Sequence, residues 1–149
     1  MPERLIPTPK GGKPDLSLIG DAHVERYRAT DGAEGHIWNG ATCLVLTVKG
    51  RKTGRPKDFA LIYGKDGDDY LLVASKGGAP DHPGWYENLC VHPDVEVQVL
   101  GERFSATART ATAQEKPRLW KIMVEGWPNY DAYAEATDRD IPVVVLERK

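Results

Sequence analysis

The stretch LTVKGRKTGRPKDFALIYG, residues 46–64, places five basic side chains between two apolar segments. The flanking segments, residues 43–48 and 59–63, are rich in β-branched and aromatic residues, which favours two strands. Gly50 and Gly54 lie between them and are typical of a turn. We therefore predict a β-hairpin that concentrates positive charge at its tip.

Four further segments have the composition of strands. Residues 70–74 are almost continuously apolar, which predicts burial on both faces, and residues 95–100 alternate valine with polar side chains. The other two segments are residues 103–110 and 141–146. No helix separates the first three strands, so a parallel sheet is excluded. The pattern predicts a mainly β protein with helices (α+β), built as a small six-stranded antiparallel barrel.

Helical patterns lie between and around these strands. They cover residues 21–31, 85–91, 112–126 and 129–137. Residues 1–20 carry four prolines and three glycines, which predicts a poorly ordered N-terminal arm. Residues 21–149 are expected to form one domain with the helices at its periphery.

The overall charge limits the classes of partner. The 149 residues carry a formal charge of −2, so any anion-binding site must be local. Cys43 and Cys90 lie in apolar contexts and are expected to be buried, reduced thiols. We recognise no cleavable signal and no apolar stretch of membrane-spanning length. These features predict a cytoplasmic protein with no nucleic-acid partner and no integral membrane association, and they leave peripheral membrane contact open.

Two turns have the composition of an anion-binding site. The basic turn, residues 49–57, contains Lys49, Arg51, Lys52, Arg55 and Lys57. Arginine forks onto phosphate oxygens, glycine lets backbone N–H groups approach an anion, and Thr53 adds a hydroxyl. ASKGGA, residues 74–79, ends another strand with a hydroxyl, a cation and two glycines. Such turns at strand ends can converge on one extended anionic ligand, although a solvated hairpin tip would have the same composition.

Aromatic side chains follow these turns. Trp85 and Asn88 open a helix and are the kinds of group that wall a flat ring. Trp127, Tyr130 and Tyr133 form a second cluster, in which the two tyrosines share a helical face. This cluster fits either a lid over a substrate pocket, with a phenol as hydrogen-bond or proton donor, or an ordinary helix packed on the barrel.

Several kinds of active site have no candidate residues. The four histidines are scattered and no set of side chains has metal-ligand spacing, so we expect no metal site. A nucleophile elbow and a GxGxxG strand-to-helix turn are also missing from the sequence. The residues that remain fit a cofactor that brings its own reactivity.

Four motifs, taken together and in order, resemble the deazaflavin-dependent nitroreductase family of actinobacteria. They are GRKTGRPK at residues 50–57, ASKGGA at 74–79, WYxN at 85–88 and TDRxIP at 137–142. The similarity extends from about residue 24 to the end of the chain. It implies a split β-barrel of the FMN-binding type that uses coenzyme F-420, a deazaflavin with a phospholactyl and oligoglutamate tail.

The resemblance also implies roles for individual residues. The cofactor's tail would be held by Arg51, Lys52, Thr53 and Lys57. Groups nearer the deazaflavin would be Ala74, Ser75, Lys76, Gly77 and Asn88, with Trp85 beside the rings. The substrate pocket would be lined by Trp127, Tyr130, Tyr133 and Tyr63, and either Tyr133 or Tyr130 would act as the catalytic phenol.

The implied function is a reductase that transfers a hydride from reduced coenzyme F-420 to an activated C=C, a quinone or a nitro compound. Residues 1–31 are more polar than the N-terminal helix of the family's nitroreductase prototype, and Trp127 replaces a tyrosine. These departures favour enones or quinones as acceptors. The alternatives are an FMN-dependent split-barrel oxidoreductase and a non-catalytic deazaflavin carrier. Either a monomer or a homodimer would fit.

Overall fold

The computed structural model describes residues 17–149, so the predicted arm lies almost wholly outside the described residues. The strands are β1 (Ile37–Trp38), β2 (Ala41–Lys49), β3 (Pro56–Ile62), β4 (Gly64–Asp66), β5 (Asp69–Val73), β6 (Asp94–Val99), β7 (Glu102–Thr110) and β8 (Val143–Arg148). The helices are α1 (Gly20–Thr30), α2 (Gly84–Val91), α3 (Lys116–Gly126) and α4 (Asn129–Glu135), with a short 3₁₀ turn at Lys76–Gly78.

The predicted hairpin is the start of a curled antiparallel sheet. Strands β2 and β3 pair from Cys43 opposite Ile62 to Lys49 opposite Pro56. The sheet continues from β2 in the order β6, β7, β8, β5, β4, while β1 and β3 both pair with β2. The α+β class and the antiparallel split-barrel fold are confirmed.

Two strands in residues 17–149 were not predicted. Strand β1 pairs only Ile37 and Trp38 with β2, and β4 is a three-residue segment beginning at Gly64. Segments of two or three residues are too short to show the alternation that identifies a strand. The six predicted strands therefore become eight in the described part of the chain.

Strand β5 separates two apolar layers. Leu72 packs inside the barrel with residues such as Leu44 and Val97, whereas Leu71 faces outward. The outer layer is covered by α3 and α4. The near-continuous apolar run in β5 is thus explained by burial on both faces, as predicted.

Helix α3 begins four residues later than the pattern suggested. Thr112 and Glu115 exchange side-chain-to-backbone hydrogen bonds of 2.8 and 3.2 Å ahead of the helix. Pro117 occupies the first helical turn, where its missing N–H leaves no bond unmade. The later start puts Leu119 and Met123 against the outer layer.

One of the two cysteine predictions is wrong. Cys43 is buried in β2, but Cys90 is exposed. The buried side chains of α2 are Trp85, Asn88 and Leu89. At 100° per residue, position 90 lies on the edge of the helix away from this face.

Two classes of feature do not occur in the described part of the chain. None of its helices has the length and apolarity needed to cross a membrane. Residues 17–149 also contain no group of three His, Cys, Asp or Glu side chains placed to hold a metal ion.

Candidate active site

A cavity of about 370 Å³ opens between the ends of β3 and β5, the starts of α1 and α2, and the aromatic residues in and just before α4. It is lined by Ile19, Gly20, His23, Trp38, Cys43, Ala60, Leu61, Ile62, Val73, Ser75, Lys76, Gly77, Pro83, Trp85, Trp127, Tyr130 and Tyr133. The ASKGGA turn, Trp85 and the late aromatic cluster are thus brought to one space. A mostly apolar cavity of this size with a few polar groups is typical of a small-molecule site.

The ASKGGA turn shapes the floor of this cavity. Gly77 has a positive φ of 63°, and a side chain there would meet no atom within 4 Å, so its backbone is open to a ligand. Gly78 is the opposite case. A Cβ at Gly78 would lie 2.7 Å from the carbonyl oxygen of Tyr133, so only glycine lets α4 approach the turn this closely.

Arg139 holds the turn in place, a role that the sequence reasoning missed. Its Nε donates to the carbonyl oxygen of Ala79 at 2.8 Å, and its Nη2 donates to that of Ser75 at 2.7 Å. Its Nη1 lies 3.2 Å from the carbonyl oxygen of Ala74 and 3.0 Å from Nδ1 of His82. The motif containing Arg139 was visible in the sequence, but no local pattern indicates bonds that span 57 to 65 residues.

Three aromatic residues form one wall of the cavity. Trp127 and Tyr130 are buried, and the rings of Tyr130 and Tyr133 meet nearly at right angles, 6.1 Å apart. Trp127 Nε1 approaches the Tyr133 hydroxyl at 3.4 Å as a donor, which leaves the Tyr133 proton free for another acceptor. Burial raises the pKa of Tyr130 strongly, so its phenol stays neutral.

The basic turn is fastened to helix α2. The backbone N–H of Arg51 and its Nη1 both donate to Oδ1 of Asn88, at 3.0 and 2.9 Å. Nη2 of Arg51 lies 3.0 Å from the Glu87 carboxylate. Because Trp85 on the same helix lines the cavity, these bonds fix the basic turn relative to it.

Cations at this turn are available to an anionic ligand. Lys52, Thr53 and Lys57 are exposed, and no carboxylate of residues 17–149 forms an ion pair with Lys52, Arg55 or Lys57. Unneutralised cations this close together favour a polyanionic partner.

Two buried hydrogen-bond donors have no acceptor in the described chain. Asn88 is 3% exposed, and since its oxygen faces Arg51, its Nδ2 amide hydrogens remain unpaired among residues 17–149. The Ser75 hydroxyl, 8% exposed, likewise has no hydrogen bond in that part of the chain. A buried donor without a partner destabilises the folded protein, because it has lost its hydrogen bonds to water. This favours a ligand rich in acceptor oxygens at these donors. The cations of the basic turn therefore fit the phosphate and carboxylates of a deazaflavin tail, and the two unpaired donors fit further acceptor oxygens of the same ligand.

Several predicted site residues do not line the main cavity: the four assigned to the cofactor's tail, and also Asn88, Ala74 and Tyr63. Ala74 is fully buried, and its carbonyl oxygen accepts from Arg139. Tyr63 lines a separate cavity of about 220 Å³, and its hydroxyl lies 2.9 Å from Nε2 of His36.

The sequence reasoning missed the contributions of α1 and β1 to the cavity. His23 and Trp38 line it, with their rings stacked at 6.3 Å. The spacing of His23, Val24 and Tyr27 marks one buried face of α1. This spacing identifies the side chains that point inward, but it does not show that His23 lines a cavity.

A sequence family described as F420H(2)-dependent quinone reductase matches residues 21–148. The chain belongs to this family. It is therefore an oxidoreductase that depends on coenzyme F-420, and the resemblance inferred from the four motifs is confirmed. Family membership favours an enzyme over a carrier and coenzyme F-420 over FMN.

Individual relatives agree with the family match. The F420H(2)-dependent quinone reductase Rv1261c of Mycobacterium tuberculosis is 47% identical over 131 residues, covering 85% of this chain and 88% of the relative. A solved F420-H2 dependent reductase, FDR-A, is 38% identical with a TM-score of 0.66, covering 70% of this chain and 93% of its own. Another solved chain, described as a domain-swapped dimer, is 35% identical with a TM-score of 0.69, covering 83% of this chain and 93% of its own.

Proposed function

We propose that this member of the family reduces quinones with reduced coenzyme F-420, binding the cofactor's tail at the basic turn and its rings in the 370 Å³ cavity. The observation that carries the proposal is the link from Arg51 to Asn88. It joins a group of unneutralised cations to the helix whose Trp85 lines the cavity. One extended ligand, anionic at one end and aromatic at the other, would satisfy both regions.

The cofactor, when bound, supplies a hydride from carbon 5 of its reduced deazaflavin. Lys52 and Lys57 would hold the phosphate and carboxylates of the tail, with the Thr53 hydroxyl as a further donor. The unpaired donors of Asn88 and Ser75 would bind oxygens nearer the rings. Gly77 would let the backbone approach the ligand, and Lys76 beside it adds a positive charge.

The aromatic wall would hold the acceptor. Trp127, Tyr130 and Tyr133 would shield the acceptor from water and limit the orientations of its flat ring. Tyr133 would donate its free proton in a hydrogen bond to the acceptor oxygen on which negative charge develops. Tyr130 stays neutral and would do the same.

Quinones are favoured over the other acceptor classes by the family to which the chain belongs. The test compares menadione, cyclohexenone and a nitroaromatic compound as acceptors, with the reduced cofactor in each case. We expect kcat/KM to be highest for menadione. Turnover of cyclohexenone or of the nitroaromatic compound with higher kcat/KM would contradict the proposed substrate class.

Two features beyond the reaction stay predictions. The relative described as a domain-swapped dimer supports a homodimer, which light scattering of the purified protein would test against a monomer. A cytoplasmic location, with peripheral membrane contact open, would be tested by cell fractionation.

A further inference from the structure

The proposed function assigns no role to His23, a buried, titratable side chain that lines the cavity. It lies in the first turn of α1, is 4% exposed and lines the same cavity as Trp38, Trp127 and Tyr130. A buried polar side chain needs hydrogen-bond partners, so each nitrogen of its ring has to be accounted for.

One ring nitrogen is assigned by its contact. Nε2 of His23 lies 2.8 Å from the carbonyl oxygen of Gly35. A carbonyl oxygen only accepts hydrogen bonds, so Nε2 carries the hydrogen. Nδ1 of the neutral ring is then an acceptor, and in the charged ring it becomes an N–H donor.

The orientation of the ring is also fixed. A Cβ at Gly35 would lie 3.1 Å from Cδ2 and 3.3 Å from Nε2, so that edge of the imidazole is pressed against the glycine backbone. Trp38 stacks on a face of the ring. Nδ1 lies on the opposite edge, and no atom of residues 17–149 forms a hydrogen bond with it. His23 therefore lines the cavity with one ring nitrogen that has no partner in residues 17–149.

We propose that Nδ1 of His23 contacts an oxygen of the bound quinone and delivers the proton that completes its reduction. This inference rests on the proposed quinone reductase function. Reduction to a hydroquinone takes two electrons and two protons, and a hydride supplies both electrons and one proton. In the remaining step the Nδ1–H bond breaks, its electron pair stays on Nδ1, and an O–H bond forms on the hydroquinone anion. Solvent then reprotonates the neutral imidazole.

The electrostatics of the cavity suit such a donor. Burial lowers the pKa of His23, which makes its charged form a better acid than an ordinary histidine. The other titratable or charged side chains that line the cavity are Cys43 of β2, Lys76 of the 3₁₀ turn, and Tyr130 and Tyr133 of α4. Tyr130 is a poor proton donor because burial raises its pKa.

The variant that tests the proposal is His23→Gln. The glutamine amide nitrogen can occupy the position of Nε2 and keep the bond to Gly35, while nothing replaces Nδ1. We expect kcat with menadione to fall at least about tenfold, as for loss of a general acid, with little change in KM. The rise of wild-type kcat as pH is lowered from 8 toward 6 should be absent in the variant. The matched control is His92→Gln, at a half-buried position following α2 and outside the cavity, which should behave as wild type.

A smaller fall in kcat, or an unchanged pH profile, overturns the proposal. A wild-type protein that reduces no quinone instead overturns the proposed function. A second measurement does not depend on turnover: nitrogen NMR of histidine-labelled wild-type protein, in which the His23 signals are those that remain in each of His36→Gln, His82→Gln and His92→Gln. We expect a protonated Nε2 and a bare Nδ1 whose resonance shifts when menadiol, the hydroquinone product, is added. A resonance that does not respond to menadiol overturns the contact even if the variant fails to fold.

Discussion

At the scale of single residues, a substitution in the basic turn tests whether its positive charge contributes to cofactor affinity. Lys52 is exposed and forms no ion pair within residues 17–149. We expect Lys52→Ala to weaken binding of coenzyme F-420 about fivefold, since an exposed charge pair contributes up to about 1 kcal/mol. The free energy of unfolding should not change. Fluorescence titration measures the affinity, with Lys121→Ala on α3 as the control, and an unchanged affinity in Lys52→Ala would refute the tail-binding role.

The side chain of Asn88 has two roles: its oxygen holds Arg51, and its amide hydrogens are proposed to bind the cofactor. Asn88→Asp keeps an oxygen for Arg51 but removes the two amide hydrogens that have no partner in the described chain. We expect cofactor affinity to fall at least about tenfold, because a charge-assisted hydrogen bond is replaced by repulsion. The melting temperature should stay within a few degrees of wild type. If affinity is retained in isothermal titration, the amide does not bind the cofactor.

At the scale of elements, Arg139 links the segment before β8 to the turn that follows β5. In Arg139→Gln, the glutamine side chain is too short to reach the carbonyl oxygens of both Ser75 and Ala79. We expect the free energy of unfolding in urea to fall by about 2 kcal/mol or more, and KM for the cofactor to rise, since the lost bonds involve a charged donor.

The control for this change is Arg118→Gln. Arg118 pairs with Asp66 at the surface, away from the residues that line the cavity. Loss of an exposed pair should change stability by less than about 1 kcal/mol. Equal effects of the two substitutions would show that Arg139 has no special role in the turn.

Tyr27 attaches α1 to the sheet. Its fully buried hydroxyl donates to the carbonyl oxygen of Cys43 at 3.0 Å and accepts from the N–H of Leu100 at 2.8 Å. We expect Tyr27→Phe to lower the free energy of unfolding by about 1–3 kcal/mol, because both backbone groups lose a partner.

The pH dependence gives a second check on Tyr27. Burial raises its pKa to about 12 in the folded protein, against 10.0 ordinarily. The unfolded chain loses this proton first, so the contribution of Tyr27 to stability decreases as pH rises from 10 to 12. The difference in stability between wild type and Tyr27→Phe should therefore narrow over that range in urea titrations. A constant difference would contradict the raised pKa.

At the scale of the whole molecule, the sequence predicted those features of the fold that depend on hydrophobic periodicity and on the order of segments along the chain. The hairpin at residues 46–64, the doubly buried β5 and the antiparallel class follow from local patterns, and they are observed. The contacts of Arg139 and the approach of His23 to the cavity join distant segments, and no local pattern encodes them. The exposure of Cys90 was missed because an apolar context does not tell which edge of a short helix faces solvent.

In the proposed function, the basic turn and the cavity together bind one cofactor that reduces quinones. The most direct measurement mixes the wild-type protein, loaded with reduced coenzyme F-420, with menadione under anaerobic conditions. We expect rapid appearance of oxidised deazaflavin, with one menadiol formed for each cofactor oxidised. Reduced cofactor that stays reduced in the presence of menadione, or equal turnover with reduced FMN in its place, would contradict it.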